Sequence, residues 1–282
     1  MPTQFSLAHL TVLGCAPPEA TYIAAQAGYD FVSLRIIMMG GSIEPRNYSL
    51  AENPAMLRQT KTALRETGIR VHDIELARIH DGVDSRSWLP ALEVGAELGA
   101  RHVISSIWTR NRSFAIERFA ELCDLARPLG ITVDLEFVTF AEIGNLRDAV
   151  DVIRTANRVN SGLLLDTLHF HTSRGRLDEL DTVPPNWFHF VHLCDASKEI
   201  PATREALIHT AREERLYPGE GGIEIAAILD RLPEVTYSIE LPHAARAKEL
   251  GYAQHALRCL QTSRQYLSAH VREQESMLSK IG

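Results

Sequence analysis

Four short runs in the second half of the chain each interrupt an apolar stretch with one side chain able to hold a metal or move a proton. They are DLEFV with Glu136, GLLLDTLHFH with Asp166, FHFVHLCDA with His192 and YSIELPH with Glu240. A polar group in a strand covered on both faces costs free energy unless something uses it. Consecutive parallel strands lie about 4.8 Å apart, so four such residues at or near their C-terminal ends can converge on one point. Three carboxylates and one imidazole make an oxygen-rich set that suits Mn2+ first, with Mg2+, Co2+ and Zn2+ also compatible. Two octahedral positions would stay open for the carbonyl and hydroxyl oxygens of an α-hydroxyketone. The ion would then polarise the carbonyl and stabilise an enediolate as the neighbouring C–H proton leaves. One carboxylate at one strand end is ordinarily a cap or a loop hydrogen-bonder; recurrence on four consecutive strands is what points to a metal site.

Other residues gather around this set. His169 follows Asp166 by three and is placed to donate a proton or bind substrate, whereas His171 is as readily a rim histidine. His189, three before His192, has the opposite strand parity and is expected to face the helices. Arg215 stands in REERLYPGEGGIEI, where Pro218 and three glycines force a tight turn that could bring the guanidinium over the pocket to meet an enediolate oxygen. Arg212 and Glu214 read as solvated surface charge, and PGEGG could alternatively cradle a phosphate. His9, Arg35, Glu75, Arg78 and Trp108 are candidate pocket lining, each with a packing or ion-pair role as the competing reading. Asp134 lies one layer below Glu136 without an evident partner, and Cys194 has no base to pair with as a nucleophile.

The elements that must position these groups alternate regularly. Strand-like runs fall near 4–12, 31–36, 70–79, 102–109, 132–138, 161–170, 187–195 and 235–241. Amphipathic stretches follow near 17–28, 54–67, 86–99, 113–129, 145–158, 176–182, 223–232 and 252–274, the sixth curtailed by Pro184 and Pro185. Asn53-Pro54 reads as a cap with an N1 proline, and Gly68, Gly99 and Gly130 sit where helix hands over to strand. Eight strand-then-helix units predict a single α/β domain, a (β/α)8 barrel over 1–274, with a frayed C-terminal tail over 275–282. The connections at 37–52 and 196–222 are long, which places them at the C-terminal face where barrel active sites are built.

Composition narrows the partners. At 282 residues with 45% hydrophobic and 23% charged, the chain is long enough for one barrel and far from the disordered regime. Lys+Arg 29 against Asp+Glu 36 gives a net charge of -7, which repels nucleic acid. No run approaches the roughly 18 apolar residues of a membrane span, and no basic n-region precedes an apolar stretch. Cys15, Cys123, Cys194 and Cys259 are scattered without a C-x-x-C pair, which fits a reducing cytoplasm.

Taken together, DLEFV, GLLLDTLHFH, FVHLCDA, RLYPGEGGI and SIELPH resemble the xylose isomerase-like TIM-barrel superfamily, and within it the inosose (2-keto-myo-inositol) isomerases, along most of the chain. The resemblance implies a divalent metal on Glu136, Asp166, His192 and Glu240, both glutamates as acid/base groups on opposite faces of the substrate, and His169 and Arg215 on its oxygens. HLCDA with REERLYPGEGG is also similar to bacterial 3-dehydroshikimate dehydratases, which lose water from a cyclic β-hydroxyketone at the same type of site and carry glutamine or histidine where His192 stands. The His-x-x-Glu-Asn signature of tagatose epimerases is absent from the His192 to Asp195 stretch. Apurinic endonucleases of the superfamily imply a basic DNA face that this acidic chain does not offer. The expectation is therefore an isomerase or epimerase of a keto-sugar or keto-cyclitol, with a dehydratase as the alternative and a non-catalytic barrel as a remote one. The partner is a small molecule, not a nucleic acid or a membrane, and a homodimer is allowed.

Overall fold

A computed structural model describes residues 3–39 and 47–278, with side chains through 270. Eight parallel strands run in sequence order and close on themselves, β8 pairing β1. They are β1 (Phe5–Leu7), β2 (Phe31–Arg35), β3 (Arg70–Ile79), β4 (His102–Ile107), β5 (Thr132–Glu136), β6 (Ser161–Asp166), β7 (Phe188–Leu193) and β8 (Thr236–Ile239). Helices α1 (Pro17–Ala27), α2 (Pro54–Thr67), α3 (Leu89–Glu97), α4 (Arg112–Ala126) and α5 (Leu146–Ala156) follow the first five strands one by one. α6 (Thr167–Thr172) and α7 (Leu177–Leu180) follow β6, α8 (Arg204–Glu213) and α9 (Ile225–Leu229) follow β7, and α10 (Ala244–Leu250) and α11 (Tyr252–Leu278) follow β8. The chain is thus the (β/α)8 barrel that the alternation predicts.

Local chemistry explains the junctions. The Asn53 side chain accepts the Met56 N–H ahead of Pro54, and Asn111 and Asn145 cap α4 and α5 in the same way. Gly68 and Gly130 end their segments at φ 72°, a left-handed conformation that β-carbons disfavour. A continuous apolar shell fills the space between strands and helices. Inside the barrel Leu76, Ile104, Leu164 and Phe190 form a second, smaller layer that plugs it at mid-height. Truncating Phe190 to alanine would cost about 3–5 kcal/mol.

Several expected boundaries move. β1 stops at Leu7 rather than 12, because His9–Val12 turn into a short 3-10 helix whose Thr11 hydroxyl donates to Ile239 O at 2.8 Å and accepts Leu241 N at 2.9 Å. β6 ends at Asp166 rather than 170, since that carboxylate accepts the Leu168 and His169 N–H groups and starts α6. The segment 196–222 contains α8, and α10 likewise arises in a stretch with no anticipated element. Part of the 37–52 connection, 40–46, lies outside the described residues. So do 279–282 of the expected tail, whose first residues continue α11 to Leu278.

Candidate metal centre

Strand register brings the four expected donors together. Asp166 is directly opposite His192 across β6 and β7, Glu136 lies opposite Leu164, two residues before Asp166, and Glu240 follows Ser238, the partner of His192 on β8. One donor atom from each of Glu136, Asp166, His192 and Glu240 lies within 4.8 Å of the others. His192 Nδ1 is 3.2 Å from Glu136 Oε1, 3.4 Å from Glu240 Oε2 and 4.0 Å from Asp166 Oδ2. All four side chains are buried.

Arg215 completes the cluster from the short segment after α8. It is the largest fully buried side chain among the described residues, 2% exposed, and its Nη1 and Nη2 reach Asp166 Oδ2 and Glu240 Oε2, each at 2.7 Å. Its Nε donates to Ala211 O at 2.8 Å, which fixes the guanidinium plane. It lines the cavity, and its hydrogen bonds go to the two carboxylates, so what it does first is orient them. Asp166 is held at both oxygens, Oδ1 by the α6 amides and Oδ2 by Arg215.

The electrostatics follow from burial and charge count. Burial alone would lower the His192 pKa, but Glu240 and Glu136 hold it well above the ordinary imidazole value. Burial would raise Glu240, but His192 and Arg215 outweigh it and hold that carboxyl below the usual range. For Glu136 burial prevails over His192, and its pKa is pushed up to about 7. With His192 deprotonated, the form in which it can ligate, three carboxylates and one guanidinium leave a deficit of two positive charges, which one divalent ion would fill in place of the proton that the raised His192 pKa otherwise holds. The buried His192 Nε2 and Glu75 Oε1 also lack hydrogen-bond partners among the described residues. An oxygen-rich donor set with that deficit fits a divalent cation.

A cavity of about 70 Å3 opens beside the cluster. Glu75, Arg35, Arg78, Trp108 and His169, all expected near the site, line it. Arg35 Nη2 pairs with Glu75 Oε2 at 2.7 Å inside it, and burial pushes the Glu75 carboxyl up while Arg35 opposes this. His169 Nδ1 accepts weakly from the Thr139 amide at 3.4 Å, which leaves the ring proton on Nε2, and burial lowers its pKa to about 4. The neutral ring is then a hydrogen-bond donor to whatever fills the cavity.

Other expectations change. His9 does not line the cavity: both ring nitrogens are used by backbone, Nε2 at 2.9 Å from Cys15 O and Nδ1 accepting Arg35 N at 2.7 Å. His171 is not among the lining residues either. Arg212 is a half-buried cavity residue instead of a solvated charge, because α8 places it one turn before Arg215; Glu214 is exposed as expected. The helix-spaced pair Arg212 and Arg215 was the available signal, hidden by reading 196–222 as loop. Phe140, whose ring lies 5.6 Å from His169, was not singled out at all. The amides of PGEGG are already used, since Asp195 accepts Gly219 N at 2.9 Å, Gly221 N at 3.0 Å and Ile223 N at 3.0 Å, so the turn cradles the chain's own carboxylate in place of a phosphate. Burial pushes the Cys194 thiol up to about 12, consistent with its having no nucleophilic role.

His189 does not face the helices. Leu163 pairs with Phe188 and Leu165 with Val191, so β7 carries one extra residue, and His189 and Phe190 both reach the interior. His189 Nδ1 meets Asp134 Oδ1 at 2.6 Å, supplying the partner that Asp134 lacked. The contact passes over Gly162, where a β-carbon would lie 2.4 Å from Asp134 Oδ1 and 2.5 Å from His189 Nδ1.

Comparison with known proteins agrees with this architecture. The solved structure of the IOLI protein with a binding zinc atom superposes with a TM-score of 0.74 at 21% identity, covering 96% of this chain and 99% of that one. An inosose isomerase of Bacillus licheniformis is 30% identical over 129 residues, 45% of this chain and 44% of that protein. A 3-dehydroshikimate dehydratase of Pseudomonas aeruginosa is 26% identical over 110 residues, 39% of this chain and 17% of that protein. These alignments therefore span less than half of each curated relative. The family model described as Xylose isomerase-like TIM barrel matches residues 22–263. With that span covering nearly every strand and all four clustered donors, the chain belongs to the xylose isomerase-like TIM barrel family.

Proposed function

We propose that the chain is a divalent-metal-dependent isomerase or epimerase of a keto-sugar or keto-cyclitol. The observation that carries this reading is the meeting of Glu136, Asp166, His192 and Glu240 beside a cavity that the two glutamates line, with a net charge that one divalent ion would balance once His192 is deprotonated. The inosose isomerase similarity supports the substrate class, and the zinc in the IOLI structure supports the metal. Mn2+ suits the three carboxylates best, with Mg2+, Co2+ and Zn2+ as the other fits. When bound, the ion supplies Lewis acidity at the substrate carbonyl.

The chain's own residues supply the rest. Glu136 ends β5 and Glu240 directly follows β8, three strands apart, and both line the cavity, so one takes a proton from the carbon beside the carbonyl and the other returns one to the neighbouring carbon or opposite face. His169 Nε2 donates to a substrate oxygen, and Arg215 keeps Asp166 and Glu240 in position while its charge favours an enediolate. Aromatic Trp108 and Phe140, 5.9 Å apart, wall the cavity and limit water. The same base could instead remove a proton and expel the β-hydroxyl as water, the dehydratase reading that the Pseudomonas similarity keeps in view.

Incubation of the metal-loaded protein with cyclic and open-chain hydroxyketones in D2O tests this. Deuterium at the carbon beside the carbonyl with no loss of mass is the expected result. Loss of water selects the dehydratase, and no exchange with any substrate overturns the proposal.

A further inference from the structure

Among the described residues four arginines line the cavity, and they fall into two kinds. Arg35 and Arg215 are answered inside it by Glu75, Asp166 and Glu240. Arg78 and Arg212 are not: among the described residues neither forms an ion pair with a carboxylate, and Arg78 Nε is buried without a hydrogen-bond partner. Each lies instead against an aromatic face, Arg78 at 3.7 Å from the Trp108 ring centroid and Arg212 at 5.9 Å from that of Phe140. A guanidinium stacked on a ring has its N–H edge left over for a ligand. Arg204, exposed at the start of α8, donates to Phe140 O at 3.1 Å and adds a third positive charge beside them. Burial lowers the pKa of both, and positive neighbours add to it, Arg212 and Arg204 for Arg78 and Arg35 and Arg204 for Arg212, where Glu213 opposes them in part; an incoming anion would relieve that crowding.

We propose that the substrate carries an anionic group, a carboxylate or a phosphate ester, and that Arg78 and Arg212 bind it at the aromatic wall of the cavity while its hydroxyketone end faces the carboxylate cluster. This rests on the enolate reading above and specifies its substrate class: a neutral ketose or cyclitol would leave both guanidiniums without an ion-paired carboxylate among the described residues. Planar, two-point recognition explains arginine at both positions, since lysine would offer only a point charge.

Three matched probes separate the sources: myo-inositol, which is neutral, quinate, which adds a carboxylate to a polyhydroxylated six-carbon ring, and myo-inositol 1-phosphate. Each is titrated calorimetrically into the metal-loaded protein and into its R78Q and R212Q variants, with R78K as the charge-preserving control. The expected result is that one anionic probe binds about 10- to 100-fold more tightly than myo-inositol, the size of effect a charge-assisted pair gives. Either glutamine substitution should remove most of that advantage, R78K should recover only part, and bound metal should not change. Which anion wins tells carboxylate from phosphate. Equal binding of all three probes, detectable or not, or an advantage that survives both R78Q and R212Q, overturns the proposal. Failure of the underlying reading looks different: no deuterium exchange, with the preference for an anion still measurable.

Discussion

Among the described residues the barrel holds two clusters of histidine and carboxylate at its two ends, with the apolar layer of Leu76, Ile104, Leu164 and Phe190 between them. At the C-terminal ends of the strands, three carboxylates crowd around one histidine and one arginine. At the N-terminal ends, His102 and His189 share the single carboxylate of Asp134. Both sets bring three or more ligand-type atoms within 4.8 Å, so proximity alone does not separate them. Charge and hydrogen bonding do. Asp134 Oδ1 takes His189 at 2.6 Å, and Oδ2 takes the Thr132 hydroxyl at 2.9 Å with His102 Nδ1 3.4 Å away, so both oxygens are satisfied by the chain itself. The upper cluster is short of positive charge and opens into a cavity. The lower cluster is a strut of the fold, and the upper one is the metal site proposed above.

That contrast can be broken at either end. The largest effects are expected above. Glu136→Gln or Glu240→Gln keeps an oxygen donor but removes a base, so turnover should fall by about 10²–10⁴ while some metal stays bound. Arg215→Lys keeps one charge but cannot bridge Asp166 and Glu240 together, so steady-state kinetics should show a loss in kcat with the fold intact. Near-normal turnover in both glutamine variants would move the base to Glu75.

Below, the expected effect is on stability and not on chemistry. Asp134→Asn strips a buried carboxylate from two imidazoles and should cost about 3 kcal/mol in denaturant unfolding, with kcat per folded molecule unchanged. A loss of activity without a loss of stability would reverse the roles assigned to the two ends.

The smallest effect is a pH dependence. Burial lowers the His189 pKa, but Asp134 more than compensates and raises it above the ordinary value. His102 stacks at 5.4 Å, and Glu234 lines the same depression at the barrel floor. A raised histidine contributes stability that is complete below its unfolded pKa of about 6.5 and disappears as pH climbs through the folded value. His189→Gln should therefore lower Tm by a few degrees at pH 6 and by less at pH 9. An equal drop at both would mean that the protonated ring contributes nothing.

How far the sequence disclosed this depends on which regularity each residue obeys. Glu136, Asp166, His192 and Glu240 stand out because a strand buried on both faces has little other use for a charge, and the barrel aligns its strand ends. Where a local feature interrupts the regularity, the reading fails. The bulge in β7 inverts the parity that would turn His189 outward, and nothing in FHFVHL marks an extra residue. Asp166 serves both as a cluster donor and as the cap of α6, so GLLLDTLHFH reads as one long strand when it is a strand and a helix. α8 was hidden in a connection rich in charge, and with it the inward face that carries Arg212 and leads to Arg215. Thr11, by tying β8 to the turn after β1, fixes a boundary through contacts 228 residues away in sequence, which no local pattern shows.

The central claim is that one end of the barrel binds an ion and the other does not. Metal content by plasma emission spectrometry on purified wild-type protein, on Asp166→Ala and on Asp134→Asn tests it directly. The account predicts one divalent ion per chain in the wild type, nearly none in Asp166→Ala, and an unchanged value in Asp134→Asn. Metal retained in Asp166→Ala, or lost only in Asp134→Asn, would contradict it.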